Sequence, residues 1–156
     1  MTRRYGRCPV GQRLLCRVPQ GHYQTTTMIA AIRLKGPQAP WLFEGPMDGE
    51  LFLAWVKQAL VPVLQPGDVV ILDNLSTHKV AGVQPSIEAT GARLEYLPPY
   101  SPDFNPIENM WSKVKQAMKG YEPRNTRQLF KAAGAAFETV TPADCQGFFL
   151  NAGYAT

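Results

Sequence analysis

Cysteine is scarce in this chain of 156 residues: Cys8, Cys16 and Cys145 are odd in number and lack paired ligand spacing. They argue against a disulfide framework and against a zinc site, leaving a reducing cytoplasm as the default compartment. Neither sign of charge dominates, since sixteen Lys plus Arg against twelve Asp plus Glu leave a formal +4. That balance is compatible with a polyanionic partner without requiring one. Long apolar runs are also missing. The most apolar stretch, residues 51–64, is broken by Lys57 and Gln58 and is too short to cross a bilayer. No apolar segment follows Arg3, Arg4 and Arg7, so no secretory signal is legible. Repeats, low-complexity tracts and linkers are absent. What is present is 45% hydrophobic and 18% charged, the composition of a globular chain. Its length suits a single domain over 1–156 with a substantial core.

Pattern and punctuation divide the chain. Short β-branched and apolar runs at 13–18 and 25–34, joined by Pro19-Gln20-Gly21, predict a hairpin or meander. A turn at Lys35-Gly36-Pro37 leads to an extended piece at 41–44. Asp48 is placed to cap a helix over 50–64. The continuous apolar run Val69-Val70-Ile71-Leu72 predicts a central strand buried on both faces. A short helix over 83–90, ended by Gly91, and a strand over 93–97 follow. The strongest helix spans 105–119, with Ile107, Met110, Trp111, Val114 and Met118 in one apolar stripe and Gly120 as its stop. Helices over 126–139 and 141–150 complete an order that predicts a mixed α/β sheet covered by helices.

Two acids stand out. Asp73 ends the apolar run, where ligand sites of open α/β sheets gather. Glu108 lies in the first turn of the strongest helix, whose polar side carries Ser112, Lys115 and Lys119. Between them runs a stiff segment in which Pro98, Pro99, Pro102 and Pro106 limit how the helix start is approached. Carboxylates fixed on different elements can hold a pair of hard cations about 3.5–4 Å apart for phosphoryl transfer. Local roles compete with that chemistry. Asn105-Pro106-Ile107-Glu108 is a good helix start, with Asn as cap and Glu three residues on, and spacing alone favours Glu108 as a capping carboxylate. Asp73 serves as readily as a turn former.

The wording around the two acids, LDNLSTHK and LPPYSPDFNPIENMWSKVK, resembles the catalytic core of DDE-superfamily transposases, in the bacterial insertion-sequence branch related to mariner elements. The likeness extends from the Arg-rich start through Gly45-Pro46-Met47-Asp48-Gly49 to Asn151-Ala152-Gly153-Tyr154. It implies a ribonuclease-H-like fold, with a mixed sheet flanked by helices, and three acids binding two Mg²⁺ or Mn²⁺ ions. It implies nicking at transposon ends and strand transfer into target DNA, so double-stranded DNA is the expected partner. A homodimer acting on paired ends, a cytoplasmic, nucleoid-associated location and no membrane association complete the expectation. By position Asp73 matches the second acid and Glu108 the third.

The first acid of that family lies on the opening strand of its fold, upstream of the segment matching Met1 to Arg7. The expectation is therefore a sheet lacking its first strand and a site lacking one ligand. Asp48, Glu50 and Asp103 are poor substitutes, because metal ligation demands tight geometry. Arg3, Arg4, Arg7, His78, Lys79, Lys115 and Lys119 are candidate DNA contacts, although a solvated basic tail explains the arginines as well and a structural histidine explains His78. Asn74 either orients Asp73 or forms a turn. Trp111 reads as core. The alternative function is a non-catalytic, nucleic-acid-binding remnant of the same fold. A hydrolase using Ser76 or Ser101 with His78 is disfavoured, because no GxSxG elbow is present.

Overall fold

The computed structural model describes residues 7–15 and 25–155. Arg3, Arg4 and residues 16–18 of the first expected strand lie outside them, and residues 13–15 have no regular structure. Strand β1 (Thr26–Arg33) turns through Leu34 and Lys35 into β2 (Gly36–Glu44), and the two pair antiparallel from Thr26↔Glu44 to Arg33↔Gly36. β2 is longer than the expected piece at 41–44. Pro37 and Pro40 hid its first half from the sequence, yet both are tolerated because β2 lies at the edge of its sheet. The register slips between Ile29 and Ala31, opposite Ala39 at φ 51°. A bulge absorbs the extra residue there.

Helix α1 (Gly49–Trp55) starts where expected, with the Asp48 carboxylate accepting the Leu51 N–H at 2.8 Å. It continues through a wide π turn, Val56–Leu60, and a tight 3₁₀ turn, Val61–Val63. Pro62 lacks the N–H that regular α winding would use, so the winding changes before the helical stretch ends. Strand β3 (Val69–Leu72), helix α2 (Val83–Glu88) and strand β4 (Arg93–Tyr96) form a parallel β–α–β unit, with Val69↔Arg93 to Leu72↔Tyr96 in register. Helices α3 (Pro106–Tyr121), α4 (Thr126–Glu138) and α5 (Pro142–Asn151) follow. Gly120 does not stop α3. The helix runs through it to a left-handed Glu122 at φ 47°, just before Pro123.

Two apolar clusters flank the strands. Alternate residues of β1 serve both, as a period of two requires. Met28, Ala30 and Ile32 join Met110, Val114 and Met118 of α3, and Ala133, Ala136 and Phe137 of α4. Ile29 and Ala31 join Phe52, Trp55 and Val56, Ile87 of α2, and Val70 and Leu72 of β3. The helices therefore cover both sides of the strands. The expected single sheet is instead two sheets, β1–β2 and β3–β4, among the described residues. Nor is β3 buried on both faces: Val69 is 49% exposed and Ile71 37%. No helix among the described residues is long and apolar enough to cross a membrane.

At the far end, α5 opens with a complete capping box. Thr141 Oγ1 accepts the Asp144 N–H, and the Asp144 carboxylate accepts the Thr141 N–H at 2.8 Å. Lys113 of α3 donates to the same carboxylate at 2.5 Å, which ties α5 to α3. Lys113 first, then Thr141, hold the Asp144 carboxyl at about 2. A value depressed by folding stabilises fully above the unfolded value, about 3.9, and the gain is lost as pH falls from there through about 2. Asp144→Ala should cost about 1–2 kcal/mol at pH 7 through the lost cap. Urea melts from pH 7 down to pH 2 should show the wild-type advantage shrinking across that acid window.

Candidate active site

Asp73 follows the last residue of β3, at the carboxyl end of the parallel pair. Its Oδ1 accepts the Leu75 N–H at 3.2 Å, the turn that an Asp at a strand end is suited to make. Next comes a 3₁₀ turn, Ser76–Lys79, which brings His78 back over the acid. His78 Nδ1 lies 2.6 Å from Asp73 Oδ1. The contact is close but poorly aligned, because Nδ1 is buried without a hydrogen bond of good angle. We read it as a close polar contact, which becomes an ion pair only when the imidazole is protonated. The ring also packs 4.2 Å from Phe52, at 30°, and the Tyr96 hydroxyl donates to the His78 carbonyl at 3.1 Å. His78 is thus held from three sides. Gly49 permits the close approach of α1 to the end of this segment, since a Cβ there would come 2.3 Å from Val80 Cγ2.

Glu108 reaches the site from the other direction. Pro102–Phe104 forms a 3₁₀ turn, and Asn105 caps α3 by accepting the Ile107 N–H at 3.3 Å. Pro106 occupies the first helical position, as expected. The reciprocal half of a capping box is absent, however. The Asn105 N–H donates instead to the Pro102 carbonyl at 2.9 Å, so the Glu108 carboxylate has no cap to make. It is exposed and makes no hydrogen bond or ion pair among the described residues. The capping role favoured by spacing is therefore wrong for Glu108, whereas Thr141 and Asp144 of α5 show what a true box looks like. Far along the chain, the Tyr154 hydroxyl donates to the Phe104 carbonyl at 2.9 Å and anchors the turn that precedes Glu108.

Asp73 and Glu108 line the same two cavities. One, of about 750 Å³, also meets His78, Ile107 and Trp111. The other, of about 460 Å³, is walled by Asn74, Leu97, Pro99 and Ser101. Asn74 Oδ1 is buried there without a partner, a hard oxygen left for a ligand or solvent. Three ligands do not gather: no group of three or more His, Cys, Asp or Glu close enough to hold a metal occurs among the described residues. None of Asp48, Glu50 and Asp103 lines either cavity.

The basic candidates are more dispersed. Arg7 is exposed in the described N-terminal piece, away from both cavities. Lys79 turns its Nζ over the Tyr96 ring, 5.6 Å from the centroid. Lys115 and Lys119 are exposed on the face of α3 that Glu108 and Ser112 share. Trp111 is half-buried, packed edge-on against Phe137 at 5.7 Å, and lies in the cavity wall rather than wholly in the core. Sequence reasoning missed Arg33, which donates to Asp68 at 2.9 Å and to the Val63 carbonyl at 3.1 Å. Thirty-five positions separate that pair, so no local signal announced it.

Residues 1–129 match the family model described as DDE superfamily endonuclease. The chain belongs to the DDE superfamily of endonucleases. It is 40% identical over 68 residues to the transposase of the transposable element Tcb1 from Caenorhabditis briggsae, a stretch covering 44% of this chain and 25% of that protein. Its fold is similar to a chain in the crystal structure of the Mos1 strand transfer complex, with a TM-score of 0.69 at 13% identity. That likeness covers all of this chain and 51% of the Mos1 chain, so the protein spans about half the length of that relative. The mixed α/β arrangement is thus the ribonuclease-H-like fold of the Mos1 transposase.

Proposed function

We propose that this DDE-superfamily chain serves DNA transposition, with Asp73 and Glu108 as two acids of a site for DNA strand cleavage and strand transfer. One observation carries the proposal: two acids 35 positions apart in number, on a strand end and a helix start, line the same cavities, and Glu108 has no structural partner there. Asp73, Glu108 and the orphaned Asn74 oxygen are hard donors of the kind that Mg²⁺ or Mn²⁺ prefers. Such ions, when bound, polarise phosphoryl oxygens and lower the pKa of an attacking hydroxyl. The protein's own part is positioning. The prolines and Tyr154 fix the approach to Glu108, and Phe52 and Tyr96 hold His78 against Asp73. Lys115 and Lys119 extend the Glu108 face with positive charge suited to duplex phosphates. We further propose, on the sequence resemblance, that transposon ends and target DNA are the substrates, acted on by paired copies in a cytoplasmic, nucleoid-associated setting.

Among the described residues two acids meet without a third, which holds a metal pair weakly, so the 156 residues by themselves should cleave poorly. The test is nicking of supercoiled plasmid in Mg²⁺ and Mn²⁺. We expect little or no nicking by the 156-residue chain. We expect nicking by a chain extended at its N-terminus with an acid-bearing strand, lost again on Asp73→Asn. An extended chain that binds metal yet leaves the plasmid intact would favour the non-catalytic DNA-binding reading. Robust nicking by the 156 residues, abolished by Asp73→Ala, would show that no third acid is needed.

A further inference from the structure

Tyr100 combines two unfavourable features that the fold does not explain. Its backbone is left-handed, at φ 55°, a conformation that costs a bulky residue free energy. Ala39 and Glu122 share that geometry, but Ala39 sits opposite the register slip of β1 and Glu122 closes α3. Tyr100 has no such role. Its side chain is also fully exposed, at 102%, and neither ring nor hydroxyl has a partner among the described residues. A single exposed aromatic is ordinary on a protein surface. Exposure joined to backbone strain, beside two candidate catalytic acids, points to a ligand that covers the ring.

The surroundings of the ring narrow the choice of ligand. Tyr100 follows Pro98 and Pro99 and stands two residues before Pro102, so a stiff segment offers the ring and loses little freedom on binding. Tyr100 lines the smaller cavity together with Asp73 and Glu108. Leu75, more than half exposed, and the three prolines give that cavity an apolar wall. No Lys, Arg or His lines it among the described residues, so the wall has nothing to pair with a phosphate. A flat, uncharged aromatic group fits it instead, and every nucleobase has such a face. A DNA strand whose phosphate lies at the two acids carries a base on the adjoining nucleotide.

We propose that Tyr100 is a base-stacking residue. An unpaired nucleobase, on the nucleotide beside the phosphate engaged by Asp73 and Glu108, stacks on the Tyr100 ring against the apolar wall. The inference rests on the reading that those acids engage DNA, and it adds a contact that holds the strand by a base rather than by a phosphate. Stacking tolerates every base, so Tyr100 sets the position of the strand and not its sequence. It also requires an unpaired base, which the phosphate contacts offered by Lys115 and Lys119 do not.

The test is binding of a labelled single-stranded oligonucleotide of about eight thymidines to the 156-residue chain, followed by fluorescence anisotropy in Mn²⁺ and in EDTA. Tyr100→Ala should weaken binding by roughly fivefold or more, and Tyr100→Trp should restore it. An oligonucleotide of the same length without bases should bind wild type and Tyr100→Ala alike. Alanine keeps the backbone conformation and removes only an exposed ring, so thermal melts of the two proteins should coincide. Equal thymidine binding by wild type and Tyr100→Ala would overturn the inference and leave the ring to a protein partner. So would a loss on Tyr100→Ala that persists without bases, because the contact would then be to the strand's backbone. Binding in Mn²⁺ no tighter than in EDTA would instead strike at the two acids as the phosphate site, and no binding under either condition would overturn both.

Discussion

Glu108→Gln should weaken Mn²⁺ binding by roughly tenfold or more while barely moving the melting temperature. The two effects separate because the carboxylate has no structural work. It caps nothing, since the Asn105 N–H is committed to Pro102, and it makes no bond or ion pair among the described residues. Losing its charge forfeits only the attraction to the N-terminus of α3, about 0.3–1 kcal/mol. Removing an anionic oxygen from a site that has few removes a much larger share of the attraction for a divalent ion. Asp73→Asn should act in the same direction and keep the turn, because an amide oxygen accepts the Leu75 N–H as a carboxylate does. The measurement is paramagnetic broadening of amide signals by Mn²⁺, which reads weak sites. Broadening should centre on residues near 73, 74 and 108 and fade in both variants. Broadening unchanged by Glu108→Gln would remove Glu108 from the metal site.

Much of this fold was legible because its local signals agree with one another. Asp48, Asn105 and Thr141 each cap the helix that follows, and Gly91 at φ 82° ends α2 as a left-handed residue should. Errors came where tertiary context overrode a local rule. Gly120 has the position of a helix stop, but a helix already buried through Met110, Val114 and Met118 tolerates one glycine. Glu108 had the spacing of a capping box, and only the competing carbonyl of Pro102 took that role away. The continuous run Val69 to Leu72 has the pattern of a strand covered on both faces. It is apolar enough for that, yet one of its edges borders a cavity. Family resemblance, more than local spacing, singled out Asp73 and Glu108, and both line the same cavities, the larger of which His78 also meets. Sequence could not yield the 2.6 Å approach of His78 to Asp73, the orphaned Asn74 oxygen or the Arg33–Asp68 clasp. Those depend on how separate elements pack.

Met110→Ala should cost about 2–5 kcal/mol, a change large enough to threaten a domain of this size. Met110 is wholly buried between β1 and α4, two positions after Glu108, so its side chain sits on the opposite face of the same first turns. Truncation removes apolar atoms and leaves a gap that Val114, Ala133 and Ala136 fill only in part, since short side chains cannot reach across it. Urea denaturation should show a lower midpoint at unchanged slope. Val69→Ala makes the control: at 49% exposure it has little burial to lose, and its cost should stay below about 1 kcal/mol. The same contrast tests the site. Because α3 presents Met110 inward and Glu108 outward, loosening its core should also blur the position of the acid, and Mn²⁺ broadening near 108 should fall before the domain unfolds. A Met110→Ala cost no larger than that of Val69→Ala would mean that α3 is not seated on β1 as described, and the geometry that brings Glu108 to the cavity would fail with it.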